Sequence, residues 1–196
     1  GPWTELIGRD PLDPAVQEGL LALPYALEHL GAYEQARQRY EQAIARLEAA
    51  RAQLQAAHRQ VDDGQLLAAL ARRDGDAGNG WSRLLVSQRD DGEAVAWRVL
   101  AASPDVGAAL DDYRDVLMIE IEAQPLWQVT TEAMLAPRIT ALRAQLQALL
   151  GTAANRLRAA LHTELERLDT QTGRYLAEAH FALARHYDHA VAEATP

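Results

Sequence analysis

Residues 13–47 read DPAVQEGLLALPYALEHLGAYEQARQRYEQAIARL, and this stretch decides the fold class. Leu20, Leu23, Leu27 and Leu30 recur at three- and four-residue intervals, the signature of one helical face. Asp13 precedes Pro14, so the helix has an N-cap and then a proline at a position whose N–H has no helical partner anyway. Pro24 interrupts the interior and is expected to kink the helix or cost it one hydrogen bond. Gly31 is placed to end it with a positive φ. A second helix is expected from Tyr33 to about Val61, with Ala36, Tyr40, Ala43, Ile44, Leu47 and Leu54 on its apolar side. Glu34, Arg37, Glu41, Glu48 and Arg51 decorate the polar side with ion pairs.

The order Leu20, Leu23, Gly31, Tyr33, Ala36, Tyr40, Ala43 resembles the tetratricopeptide repeat, two antiparallel helices with small residues where they cross. Two positions depart from it. Pro24 stands where the family has a small residue, and Glu48 stands where it has a proline, so the second helix continues. Trp3–Ile7 with Asp10-Pro11 resembles the tail of a preceding repeat. The likeness covers about a quarter of the chain and implies a scaffold that binds partners in a concave groove, in which Tyr25, His29, Tyr33, Arg37 and Arg39 are the expected contacts. More loosely, the closing Tyr175–Asp188 resembles the final helix of bacterial repeat proteins that end in a long α-helical region.

Outward from this pair, the chain divides into three segments: a degenerate repeat at 1–60, short packing helices at 61–124 and a long helical region at 125–196. The middle segment is expected to hold helices at Gln65–Arg73, Trp81–Val86 and Glu93–Ala102, and another from Pro104 that stops near Pro125. Trp81 and Trp97 are expected in the core. In the last segment Leu135, Ile139, Leu142, Leu146 and Leu149 step by four and three, a heptad seam suited to self-association. The apolar stripe resumes at Ala153, Leu157, Leu161, Leu165 and Leu168, then Tyr175, Leu176 and Phe181. Gly151 is either the turn of a helical hairpin or a point within one long helix; the phase of the stripe across it favours the long helix. The whole is an all-α chain.

Composition removes many functions. The 196 residues carry 19 basic and 28 acidic side chains, a net charge of −9, and every basic residue is arginine. Without lysine there is no phosphate-loop lysine and no Schiff base; without cysteine there is no disulfide or thiolate ligand. Acidic excess without a basic block argues against nucleic acid. No apolar run reaches the ~18–20 residues of a membrane span. The chain opens on Gly1-Pro2, which reads as a piece of a longer, envelope-associated protein, with cytoplasm and periplasm both open.

Candidate chemistry is sparse. Asp74–Gly80 lacks the ligand pattern of a calcium loop. The pairs Asp62-Asp63, Asp90-Asp91 and Asp111-Asp112 read as helix-edge caps. His180, His186 and His189 could form part of a metal site but fall short of a full ligand set. No metal and no cofactor is therefore expected. The sequence points to a non-catalytic protein-interaction scaffold with a protein partner, or alternatively to a self-associating coiled-coil spacer that forms a homodimer, with a histidine-based metal binder third.

Overall fold

The computed structural model describes residues 2–74, 92–128 and 135–194, and among them every regular element is a helix. In chain order these are α1 (Pro2–Ile7), α2 (Pro14–His29), α3 (Tyr33–Asp62), α4 (Gln65–Asp74), α5 (Gly92–Ala102), α6 (Pro104–Gln128) and α7 (Ala136–Ala194). The all-α expectation holds. The helix at Trp81–Val86, the loop beyond Asp74, the pair Asp90-Asp91 and the side chains of Trp3, Trp81 and His189 lie outside the described residues.

Local chemistry sets the ends of α2. Asp13, extended at φ −71° and ψ 125°, accepts the Ala15 N–H at 2.8 Å, and Pro14 opens the first turn. At the other end the Ala32 N–H reaches the Leu27 carbonyl at 2.9 Å and the Gly31 N–H reaches that of Glu28 at 3.0 Å. That is a Schellman closure, and it forces Gly31 to φ +72°, a conformation costly for any residue with a Cβ. Leu30, which the periodicity placed on the apolar face, is the C-cap and stands 80% exposed because the helix has already ended.

The chain forms two compact units, Gly1–Gln55 with Glu166–Pro196, and Ala56–Leu165. Each draws on more than one of the three sequence segments.

In the first unit, Ile7, Val16, Leu20, Ala43, Ile44, Leu47 and Ala179 make one core, with Tyr175, Leu176 and Leu183 packed against it. Ala36, Tyr40 and Ala43 are fully buried. Gly19 lets α1 lie close on α2, since a Cβ there would meet Leu6 Cδ2 at 3.3 Å. Arg51 of α3 grips Asp169 of α7 through Nε and Nη2 at 2.9 and 3.0 Å, a two-pronged pair, with Gly173 beside the guanidinium. That pairing raises the affinity of Arg51 for its proton.

In the second unit, Val106, Leu110, Tyr113 and Leu117 bury one face of α6, and Trp97 of α5 is in the core as expected. Leu157, Leu161 and Leu165 bury one face of α7. Two sequence expectations change here. α6 runs past Pro125 to Gln128, because the proline's fixed φ is already helical and its cost is one bond near the helix end. Asp111 and Asp112 are not caps; both sit exposed in the middle of α6.

α7 is continuous for 59 residues, and Gly151 lies within it with open space where a Cβ would be. Phe181, expected on the stripe, is 70% exposed, since the 3.6-residue period carries it off the face that buries Ala179.

Candidate functional site

A groove opens in the first unit between α1, α2 and α3. Ile7, Leu20, Leu23 and Pro24 form its apolar floor, and Gly8, Arg39, Gln42 and Arg46 complete the wall. Its volume is about 220 Å³. Small-molecule sites run to roughly 300–1,000 Å³, so this groove is smaller than a usual small-molecule site and has about the room of one large side chain.

Each wall residue has a local reason for its place. Pro24 has no N–H to give the Leu20 carbonyl, so α2 forgoes one helical hydrogen bond where it lines the groove. Arg39, Gln42 and Arg46 step by three and four along α3 and therefore share its flank. Arg39 donates to Gln42 Oε1 at 2.9 Å, and Arg46 donates to the Arg9 carbonyl at 2.6 Å. Neither guanidinium is paired with a carboxylate among the described residues. The groove thus has apolar depth and a cationic rim.

The structure separates the five partner contacts expected from the sequence. Arg39 lines the groove. Tyr25 and Tyr33 are half exposed, and Tyr25 stacks obliquely on His29 with ring centres 4.2 Å apart. Arg37 is held in a network of its own: it donates to both oxygens of Glu34, at 2.5 and 3.0 Å, and to Glu41 at 2.6 Å. The hydrogen bond from Arg37, helped by Gln38, brings the Glu34 carboxyl down to about 2. Glu41 also receives the Tyr187 hydroxyl at 3.3 Å. Nearby, His186 is buried and its Nδ1 lies 2.9 Å from Glu28, whose other oxygen accepts the Tyr40 hydroxyl at 3.4 Å. Burial, and then the Glu28 charge, pushes the Tyr40 phenol up to about 12.

Of the three late histidines, the described side chains of His180 and His186 do not share a site. His186 is committed to Glu28, and His180 is exposed with Glu48 3.9 Å away. Among the described residues no group of three or more histidine or acidic side chains is placed to hold a metal.

A histidine pair that local spacing could not show lies in the second unit. His58 of α3 and His162 of α7 face each other with Nδ1 atoms 3.2 Å apart, while Asp62 Oδ1 sits 3.0 Å from His162 Nε2. The ring planes are 21° from parallel, with centres 5.4 Å apart, so the rings meet nitrogen to nitrogen. One proton between the two Nδ1 atoms makes a hydrogen bond of that length. With His162 protonated at Nε2 for Asp62, its Nδ1 accepts from His58, and the trio is satisfied as a clasp between α3 and α7.

Of the seam residues, Leu135, Leu142 and Leu149 are 45%, 54% and 57% exposed, whereas Leu146 is buried and Ile139 half-buried. The five therefore split between an outer stripe and an inner face.

Compared with protein-family models, curated proteins and solved structures, the chain matches none. No helix among the described residues is long and apolar enough to cross a membrane.

Proposed function

We propose that the protein is a non-catalytic interaction scaffold whose α1–α2–α3 groove receives an apolar side chain of a partner polypeptide, next to a carboxylate of that partner. The observation that carries this reading is the pairing of an apolar floor, Ile7, Leu20, Leu23 and Pro24, with two guanidinium groups, Arg39 and Arg46, that no carboxylate occupies among the described residues. The floor supplies affinity by removing the anchor from water, and the arginines supply selectivity through charge-assisted hydrogen bonds. The resemblance of residues 20–43 to the tetratricopeptide repeat supports the same reading, because such helical pairs bind peptides along their concave side. Tyr25, next to Pro24 in α2, and His29, one turn beyond Tyr25, extend the surface a partner would cover.

Selection from a displayed library of random peptides tests it. The expected winners carry a large apolar residue flanked by Asp, Glu or a free C-terminus, and lose binding to the Arg39→Glu/Arg46→Glu double variant. Winners without acidic character, or winners that ignore both arginines, would reject this use of the groove.

A further inference from the structure

A second surface, independent of the groove, lies in the unit formed by Ala56–Leu165. Leu135, Leu142 and Leu149 are spaced by seven, the interval of a helix-packing seam, and all three stand exposed. A seam of this kind wants another helix. The charges say which. Between Ala136 and Thr163 the chain has four arginines and neither aspartate nor glutamate, within a protein of net charge −9. Arg138 and Arg143 flank the leucine stripe on its two sides. Zipping this stripe against itself in a sister chain would set arginine against arginine in either orientation, and like charges across such a seam oppose pairing.

The complementary face is on α6. That helix carries six acidic residues and one arginine. Asp111, Asp115, Met118, Glu122 and Leu126 recur at four- and three-residue intervals, so they share one side, opposite the buried Val106, Leu110, Tyr113 and Leu117. Met118, Ile119 and Leu126 are 42%, 54% and 58% exposed, and Asp111, Asp115 and Glu122 are exposed beside them. Among the described residues Arg138, Arg143, Asp115 and Glu122 have no ion-pair partner. One face is apolar and basic, the other apolar and acidic, and both stand exposed among the described residues.

We infer that these two faces dock on each other between copies of the protein: the Leu135–Leu142–Leu149 stripe of one chain lies on the Met118–Leu126 side of α6 in a second copy. Reciprocal exchange of both faces closes a two-fold dimer. Apolar contact supplies affinity, and the arginines and acids fix which helix meets which.

Light scattering after size exclusion, run as a concentration series at low salt, tests this with three variants. The wild type should form a dimer or larger species that weakens as salt rises. Arg138→Glu/Arg143→Glu alone, and Asp111→Arg/Asp115→Arg/Glu122→Arg alone, should each weaken association roughly tenfold or more, with helical circular dichroism unchanged. The chain carrying all five substitutions has both faces reversed, and should regain association. A wild type that stays monomeric up to ~100 μM would overturn the inference. So would an assembly that ignores the α6 acids, or a five-substitution chain that remains monomeric while fully helical.

Discussion

The amide of Gln17 in α2 donates to the hydroxyl of Thr172 in α7 at 3.0 Å, across 155 positions of sequence, and both side chains are fully buried. The same amide nitrogen donates to the Pro11 carbonyl at 2.9 Å, Gln171 donates back to Gln17 Oε1 at 2.9 Å, and the Thr172 hydroxyl donates to the Leu168 carbonyl at 2.8 Å. A buried amide in a helical core is costly unless it is paired in this way. Here the pairing fixes the register of α2 on α7. Gln17→Ala removes the hub and leaves the Pro11 carbonyl without its donor, so we expect a loss of about 2–3 kcal/mol. Urea unfolding checks it: a midpoint shift within error of zero would mean the network holds nothing.

Tyr40 supplies a pH prediction. Its phenol titrates near 12 in the fold because burial and the Glu28 carboxylate disfavour the phenolate, against about 10 when unfolded. The raised value means its contribution is complete below pH 10 and is lost as pH rises from 10 towards 12. Ultraviolet titration of the six tyrosines should show a component that lags the rest, absent in Tyr40→Phe.

Glu34 behaves in the opposite sense. Held down at about 2 by the two-pronged bond from Arg37, it favours the fold above its ordinary value near 4.5, and that preference fades as pH falls from 4.5 towards 2. The residue is on the surface, so the readout is its own titration and not global stability. Carboxyl carbon shifts should place Glu34 near 2, and Arg37→Gln should return it towards the ordinary value. A Glu34 midpoint unmoved by that substitution would mean the pair does not persist in solution.

Two glycines give contrasting outcomes. Gly151 lies inside a continuous helix with nothing within 4 Å of its would-be Cβ, so Gly151→Ala should stabilise by about 1 kcal/mol. Gly31 holds φ +72° to close α2, so Gly31→Ala should destabilise by about 1–2 kcal/mol. Thermal unfolding of both variants separates them. Destabilisation by alanine at Gly151 would indicate a turn there.

These elements show what was legible in the amino-acid order. The limits of α2 were, because Asp13-Pro14 and Gly31 act on their neighbours through the backbone. The continuity of α7 was, because the apolar stripe keeps its phase past Gly151. The Gln17–Thr172 network and the His58–His162 clasp were not: each joins residues more than a hundred positions apart, and spacing carries no trace of such pairs. Arg39 is among the contacts that the repeat resemblance implies, whereas Arg46, on the same flank of α3, is not. The split of Leu135–Leu149 into outer and inner positions also needed the structure, since a four-three pattern marks apolar residues without saying which are already covered.

The groove itself is best tested by affinity. Fluorescence anisotropy of one selected acidic–apolar peptide would be measured against wild type and against Arg39→Glu/Arg46→Glu, and repeated with the peptide's acid replaced by its amide. The scaffold reading predicts that either change alone weakens binding by roughly tenfold or more, and that the two together cost little beyond one, because they remove the same contact. Equal affinity in all four combinations would contradict it.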